Sequence, residues 1–354
     1  MKKRFLSLLC VLALCLGLLP VTVLAEGAPD GQVIYIGNEN VTSGGYWTTD
    51  SNGNVTAYTE DGTTPSNNYI HYNKETNTLT LYNATIKKGL DYDEDITGGT
   101  SINGAAIGVF NQSGAAELTI ILYGSNTIAE VGKGIYVLAH DASTGSSSLT
   151  IMGNGSLDTS SSQTGIWVQS NSNNAALSIK NAKVTATIVD SYGSDGVRVQ
   201  SEGNFSASLT VDGGSLTATG SGATFAGIQL LFGSGGSVSG TPTVTVSGNA
   251  IVRANGSAGG ITSNSSAEVQ TAAGTGESGG IVFNGNEGTV YGKVELQEDL
   301  EIGEGESLTI GDGASLDTNG KLTVNGGTLN GSPNGDVTYK VTGVSLNKDS
   351  LTLN

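Results

Sequence analysis

One pattern limits what this chain can fold into more than any other: a strand signature that returns at a fixed step. Gly134-Ile135-Tyr136-Val137 is followed 31 residues later by Gly165-Ile166-Trp167-Val168, then at the same step by Gly196-Val197-Arg198-Val199 and Gly227-Ile228-Gln229-Leu230. Ala106-Ile107-Gly108-Val109 opens this series and Gly260-Ile261-Thr262 continues it. A second signature keeps pace with the first. It reads apolar–polar–apolar, a short Gly/Asn/Asp turn, then another apolar residue. It starts at Leu79, Leu118, Leu149, Leu177, Leu209, Val244, Ile281, Leu308 and Leu322. Its second-strand residues include Ile86, Leu157, Val184, Leu216, Ile251, Leu316 and Leu329.

Alternating apolar residues face one side of a strand. The Gly and Asn punctuation tolerates the left-handed backbone that tight bends require. One unit cannot bury its own apolar face, but stacked units can, with strands about 4.8 Å apart. The repeat therefore predicts an all-β protein: a right-handed parallel β-helix, a solenoid of about nine coils over residues 76–340. Right-handedness follows from the near-invariant hand of parallel crossovers. A left-handed β-helix would show a hexapeptide period, and none is visible. Propeller blades repeat at similar lengths but need four antiparallel strands each. An antiparallel solenoid or sandwich is the remaining alternative.

Residues 26–75 fit the repeat poorly and carry Tyr35, Tyr46, Trp47, Tyr58, Tyr69 and Tyr72. A stacked sheet ends in a raw edge and an open core that must be covered, so this segment is expected to be an N-terminal cap. The functional alternative is ligand stacking by these aromatics.

The first 25 residues read as a secretory signal peptide: a basic head, Lys2-Lys3-Arg4, an apolar run from Phe5 to Leu19, and a small-residue cleavage site at Val23-Leu24-Ala25. The apolar run is short of the roughly 20 residues a membrane span needs. No second apolar segment follows, so no span is expected in the mature chain. Cys10 and Cys15 are the only cysteines, and both fall in the leader. A mature chain without thiols has no disulfide, no thiol nucleophile and no cysteine-ligated metal. Against 32 acidic residues the chain has 15 basic ones, a net charge of −17, and three of those basic residues leave with the leader. Such a charge disfavours nucleic acid and anionic membrane; it also keeps a β-rich surface soluble.

The candidate binding site comes from the 31-residue series. If Ile135 and Val137 point inward, Tyr136 points outward, and the same alternation exposes Trp167, Arg198 and Gln229. The four should stack as a column, beside a second column of Leu138, Gln169, Gln200 and Leu231. Flat aromatics beside Arg and Gln suit sugar rings, which offer apolar faces and hydroxyl edges. The competing structural reading is that a loop or the cap covers Tyr136 and Trp167. Asp91, Asp93, Glu94 and Asp95 form the densest acidic cluster, and Asp91, Asp93 and Asp95 are the candidate calcium ligands. The spacing is not an EF-hand, because Ile96 and Ile102 stand where Gly and Glu are needed, and a solvated acidic loop is the preferred reading of the cluster. Asp190 and Asp195 flank a similar loop.

The stretch Val33-Ile34-Tyr35-Ile36-Gly37, Gly44-Gly45-Tyr46-Trp47, Tyr72-Asn73-Lys74-Glu75-Thr76-Asn77-Thr78-Leu79-Thr80-Leu81 and Asn83-Ala84-Thr85-Ile86 resembles the opening of large β-helical, pectate-lyase-like surface proteins of gut Firmicutes. That resemblance implies carbohydrate binding at a cell surface. Residues 341–354, Val341-Thr342-Gly343-Val344-Ser345-Leu346-Asn347-Lys348-Asp349-Ser350-Leu351-Thr352-Leu353-Asn354, resemble the first strands of a bacterial immunoglobulin-like group 2 domain. Such a domain needs more chain than this, which reads as a fragment or a truncated gene.

Many right-handed β-helices cleave polysaccharides, but fold alone does not assign that activity. Glycosidases need paired carboxylates at a defined separation. The Gly-His-Gly and Arg-x-Lys motifs of polygalacturonase-like enzymes are missing, and Arg198 and Arg253 are the only arginines after the leader. His71 and His140 are the only histidines, and neither lies in a catalytic motif. The sequence reading is a non-catalytic, secreted or cell-surface protein that binds a polysaccharide or a host or cell-wall glycan, or acts in adhesion. It needs no cofactor other than an optional Ca²⁺. A lyase or hydrolase, and a structural surface stalk, are the alternatives.

Overall fold

The computed structural model describes residues 27–60, 63–91, 102–140, 145–190, 193–202, 205–233, 242–264, 268–271 and 278–340. The leader and residues 341–354 lie outside them. Every regular element among the described residues is a strand. No helix there is long and apolar enough to cross a membrane. The strands form one 16-stranded and one 10-stranded sheet, with a two-stranded and a three-stranded sheet toward the C-terminal end.

Three columns of parallel strands build the body. The first, in the smaller of the two large sheets, runs from Thr78–Tyr82 through Ala116–Tyr123, Ser147–Gly153, Ala175–Lys180, Ala207–Asp212 and Thr243–Ser247 to Glu268–Thr271. The second and third share the larger sheet and are fused in two long strands, Ser125–Ala139 and Ser156–Ser170, whose register shifts around Val131. Beyond those strands the second column continues through Lys183–Ile188, Ser215–Thr219, Ala250–Asn255 and Gly280–Asn284. The third begins at Ala105–Asn111 and continues through Val197–Ser201, Ile228–Phe232 and Ile261–Ser263.

Parallel pairing in register turns each inward position into a row. Leu118, Leu149, Leu177, Leu209 and Val244 are successive partners, as are Ile120, Ile151, Ile179, Val211 and Val246. All ten are buried in one cluster. Burying each such side chain contributes about 1.5–3 kcal/mol. The position between them faces outward as Thr119, Thr150, Ser178, Thr210 and Thr245, residue types that mostly suit a half-buried pleated surface.

The periodic glycines mark the bend into the third column. Gly134, Gly165, Gly196 and Gly227 all keep negative φ, so contact between repeats is what excludes a side chain. A Cβ on Gly165 would lie 2.5 Å from the carbonyl oxygen of Gly196 and 2.9 Å from the Cβ of Ala186. A Cβ on Gly196 would lie 2.9 Å from the carbonyl oxygens of both Ala186 and Gly227. Backbone hydrogen bonds hold this approach, with Ile166 N donating to Gly196 O at 3.1 Å and Val197 N to Gly227 O at 2.9 Å.

The N-terminal segment closes both large sheets with antiparallel strands. Gln32–Ile36 pairs with Ala105–Asn111 in one. Tyr69–Asn73 pairs with Thr78–Tyr82 in the other and carries Gly45–Thr49 on its far side. Ile34, Ile36, Trp47, Ile70 and Tyr72 are buried against the main core. Burial pushes the Tyr72 phenol up to about 12, and its hydroxyl donates to Asn77 Oδ1 at 3.0 Å.

At the other end the nine motif starts do not form one series. Ile281 pairs with Ile251 in the second column, Leu308 with Gly288 in the same large sheet, and Leu322 with Leu300 in the three-stranded sheet. The cause is a reversal of chain direction. Gly280–Asn284 folds back antiparallel on Glu287–Tyr291. Past that hairpin most repeats shorten, as in Lys293↔Ser315 and Leu300↔Leu322, around a second apolar cluster that includes Ile281, Phe283, Leu300, Leu308, Leu316 and Leu322. Two register assignments also change. Leu79 partners Ile120 rather than Leu118, and Val252 rather than Ile251 partners Leu216. The turn between Ser247 and Ile251 is one residue longer than the turn between their partners Asp212 and Ser215, which moves the inward position one place along.

Gly165→Ala is expected to cost about 1–3 kcal/mol, as overpacking does. The measurement is a fall in denaturation midpoint at an unchanged denaturant slope. An unchanged midpoint would show that the repeats do not touch at this bend.

Candidate functional site

The third column brings all four predicted row residues together. Tyr136 partners Trp167, Trp167 partners Arg198, and Arg198 partners Gln229 on successive parallel strands. The Tyr136 and Trp167 rings stack at 4.6 Å between centroids and 19° between planes. The Arg198 guanidinium lies 5.0 Å from the Trp167 ring, and Lys133 Nζ lies 5.5 Å from the Tyr136 ring. Two rings and two cations thus form one column, an arrangement favoured by the ring quadrupoles.

Exposure along the row differs from the expectation. Tyr136 is only 4% exposed. The row position before it is Gly108, and the missing side chain there admits Ile102, whose Cδ1 would lie 2.9 Å from a Cβ on Gly108. Ile102, Tyr35, Leu90, Phe110 and Leu138 then cover Tyr136 in a separate apolar cluster, with Trp167 partly buried at its edge. Tyr136 is therefore a covered residue and not an exposed sugar platform. Its hydroxyl donates to Gln169 Oε1 at 2.7 Å, and burial pushes the phenol well above its usual range. Burial also lowers the Lys133 ammonium, which donates to Asn103 O at 2.9 Å. In the neighbouring column Leu138 is fully buried, whereas Gln169, Gln200 and Leu231 are half-buried.

Arg198 is not wholly available either. Its Nε and Nη2 donate to Asp195 Oδ2 at 2.9 and 2.5 Å. Asp195 is fully buried, and its Oδ1 accepts the Ala226 N–H at 2.8 Å. The spacing Asp195-Gly196-Val197-Arg198 was visible in sequence, but the inward turn of the carboxylate was not. Trp167 Nε1 in the row and Gln200 Oε1 in the neighbouring column are buried without a hydrogen-bond partner. Gln229 is half-buried at the open end of the row.

Of the candidate calcium ligands, Asp93 and Asp95 lie outside the described residues. Asp91 is exposed, accepts a short hydrogen bond from Asn38 Nδ2 and pairs with Lys88 at 3.3 Å. These contacts, Asn38 first, hold its carboxyl below the usual value. Asp190 is described but not part of the row.

Sequence reasoning placed the cap aromatics without ordering them. Tyr46 stacks on His71 at 4.1 Å and Tyr69 on Tyr82 at 5.1 Å. Burial lowers the His71 imidazole. Tyr69, Tyr82 and Tyr123 are successive cross-strand partners, which makes a second aromatic row, on the outer face of the 10-stranded sheet.

Comparison with known protein families, curated proteins and solved structures finds no match.

Arg198→Ala would strand the buried Asp195 carboxylate, and a cost of about 3–5 kcal/mol is expected. Chemical denaturation of Arg198→Ala and of the double variant with Asp195→Asn measures it, with the double variant recovering part of the loss. Equal stability of Arg198→Ala and the parent would remove the buried pair from the account. For calcium, melting in excess calcium and in excess chelator is expected to give the same midpoint, because Asp91 is already engaged by Asn38 and Lys88. A rise with calcium would support the metal reading.

Proposed function

We propose that the chain is a non-catalytic, exported or cell-surface protein that binds glycans or acts in adhesion, and that its three columns are the faces of a right-handed parallel β-helix. Right-handed winding is the near-universal hand of parallel crossovers. Export rests on the leader-like residues 1–25.

The observation that carries the binding reading is the half-buried outer row in which the Arg198 guanidinium lies over the Trp167 ring and Gln229 follows on the next strand. Trp167 Nε1 is a buried donor and Gln200 Oε1 a buried acceptor, both without partners, and buried polar groups in native proteins are normally satisfied. The half-buried Trp167, the guanidinium stacked on it and the amide of Gln229 then offer an apolar ring, a cation and a hydrogen-bonding edge on adjacent strands. The site begins at Trp167, since Tyr136 is covered.

A glycan array probed with the folded protein tests this reading. Trp167→Ala is expected to remove at least one class of glycan from the array signal while costing less stability than Tyr136→Ala, for which a loss of about 3–5 kcal/mol is expected on removal of a buried aromatic. An array signal unchanged in Trp167→Ala would remove the row as a site. Turnover of pectate or xylan by the protein would favour a lyase or hydrolase. Absence of any array signal would favour a structural stalk.

A further inference from the structure

A second surface is built by the other bend of the repeat, between the first and second columns. Gly124, Gly155, Ala182 and Gly214 occupy equivalent turn positions in four successive repeats, and a groove of about 370 Å³ runs over them. Four repeats span three strand steps, about 14 Å. The volume lies within the range of small-molecule sites, ≈ 300–1,000 Å³.

Polar side chains line three of the four repeats. Asn154 and Asn181 line the groove, together with Ser125, Ser156 and Lys183. Ser125, Ser156 and Lys183 are successive in-register partners. The remaining wall comes from the short-repeat region, where Glu298 pairs with Lys183 at 3.3 Å. That segment is held to the next turn of the same bend by the Glu295 N–H, which donates to Asn249 Oδ1 at 2.8 Å. The single cation of the lining is thus matched by a single anion, and the other lining groups are amides, hydroxyls and backbone.

An exposed aromatic residue adjoins the lining in sequence. Tyr123 immediately precedes Gly124 and is 44% exposed. It ends the row Tyr69–Tyr82–Tyr123, because the next strand stops at Gly153, opposite Leu122, and the following position is the turn residue Asn154. No aromatic side chain continues the row there.

We infer that this groove is a glycan-binding site separate from the Trp167 row, and that it takes a neutral, extended hexopyranose chain. The inference rests on reading the protein as a glycan-binding surface protein. Ser125, then Asn154 and Ser156, then Asn181 and Lys183 follow at strand-step intervals, close to the length of one sugar residue, so successive units of a polymer that repeats at that length each meet a polar side chain. Tyr123 supplies the apolar face for a terminal ring. The Lys183–Glu298 pair leaves no net charge for a uronate or sulfate to neutralise, in a chain of net charge −17.

Calorimetric titration of the full chain with cellohexaose, mannohexaose and oligogalacturonate tests the inference, with melting followed in parallel. One or both neutral hexasaccharides are expected to bind. Tyr123→Ala and Asn154→Ala, both at exposed positions, should each weaken that binding by about tenfold or more with unchanged melting, and Trp167→Ala should leave it intact. Should Tyr123→Ala alter melting, Asn154→Ala decides. Binding lost in Trp167→Ala but kept in Tyr123→Ala and Asn154→Ala would overturn the groove and keep the Trp167 row. Binding of oligogalacturonate alone would overturn the neutral-chain assignment. If neither neutral sugar binds, the groove inference fails, and a surviving array signal dependent on Trp167 would show that the broader reading stands without it.

Discussion

Parallel pairing in register is the constraint on which everything else in this structure depends. Each residue in the body lies directly over its counterpart in the next repeat, so a side chain must fit its own repeat and both neighbours. Inward, this gives continuous rows such as Leu149, Leu177 and Leu209, in which every member caps one neighbour and supports the other. At the bend into the third column it gives glycine, because the Gly196 carbonyl occupies the space a Gly165 side chain would need. Outward, it gives rows that repeat chemistry at the spacing of the strands. A single substitution in such a row changes one step of a regular array and leaves the hydrogen-bonded ladder intact. A substitution at the glycine bend strains the ladder itself.

The periodicity that made the sheets legible in sequence also explains where legibility stopped. Ile135/Val137 and Leu177/Ile179 announced inward pairs by simple alternation, and the 31-residue step gave the register of Tyr136, Trp167 and Arg198 directly, as observed. Alternation says which side of a strand a residue faces, but not what lies over that side. Tyr136 is covered because Gly108 leaves room for Ile102, a residue outside the repeat signature. Arg198 is engaged because Asp195 turns inward at the bend, where strand alternation does not apply. The Ile251/Val252 shift came from a single extra turn residue, since a slip of one place exchanges the two faces of a strand. The hairpin between Asn284 and Glu287 was hidden by motif starts at Ile281 and Leu308, which look alike in sequence and belong to opposite chain directions.

The stacked column of Lys133, Tyr136, Trp167 and Arg198 shows how an acidic chain places its few cations. Both cations lie over ring faces, where the attraction is stronger once water is excluded, on the order of 2 kcal/mol against 0.5–1 at exposed sites. They are stabilised differently. Lys133 depends on the ring and one backbone carbonyl, so desolvation prevails and its ammonium is pulled down. Arg198 has a buried carboxylate that is itself held by the Ala226 N–H of the next repeat. That carboxylate links two repeats through side chains at the bend where glycine links them through backbone. A buried ion pair is weak evidence of stability but a good device for fixing register, and this one sits where the long strand of the preceding repeat gives way to two separate strands.

The ends of the molecule decide which outward rows remain open. On the larger sheet, the cap strand Gln32–Ile36 and the cluster around Ile102 extend over Tyr136 and stop at Trp167. On the smaller sheet, the antiparallel strands carry Tyr69 beside Tyr82, and only Tyr123 is left well exposed. At the C-terminal side the short repeats reach back over the body through Lys183–Glu298 and through Arg253, which pairs with Glu306 at 2.6 Å and lies 3.9 Å over the Phe283 ring. Terminal strands are needed to close the open sheet edges. In doing so they leave Trp167, Arg198 and Gln229 half-buried on the larger sheet and Tyr123 exposed on the smaller one. Accessibility of the outer surface is therefore set by how the stack is terminated as much as by what each repeat displays.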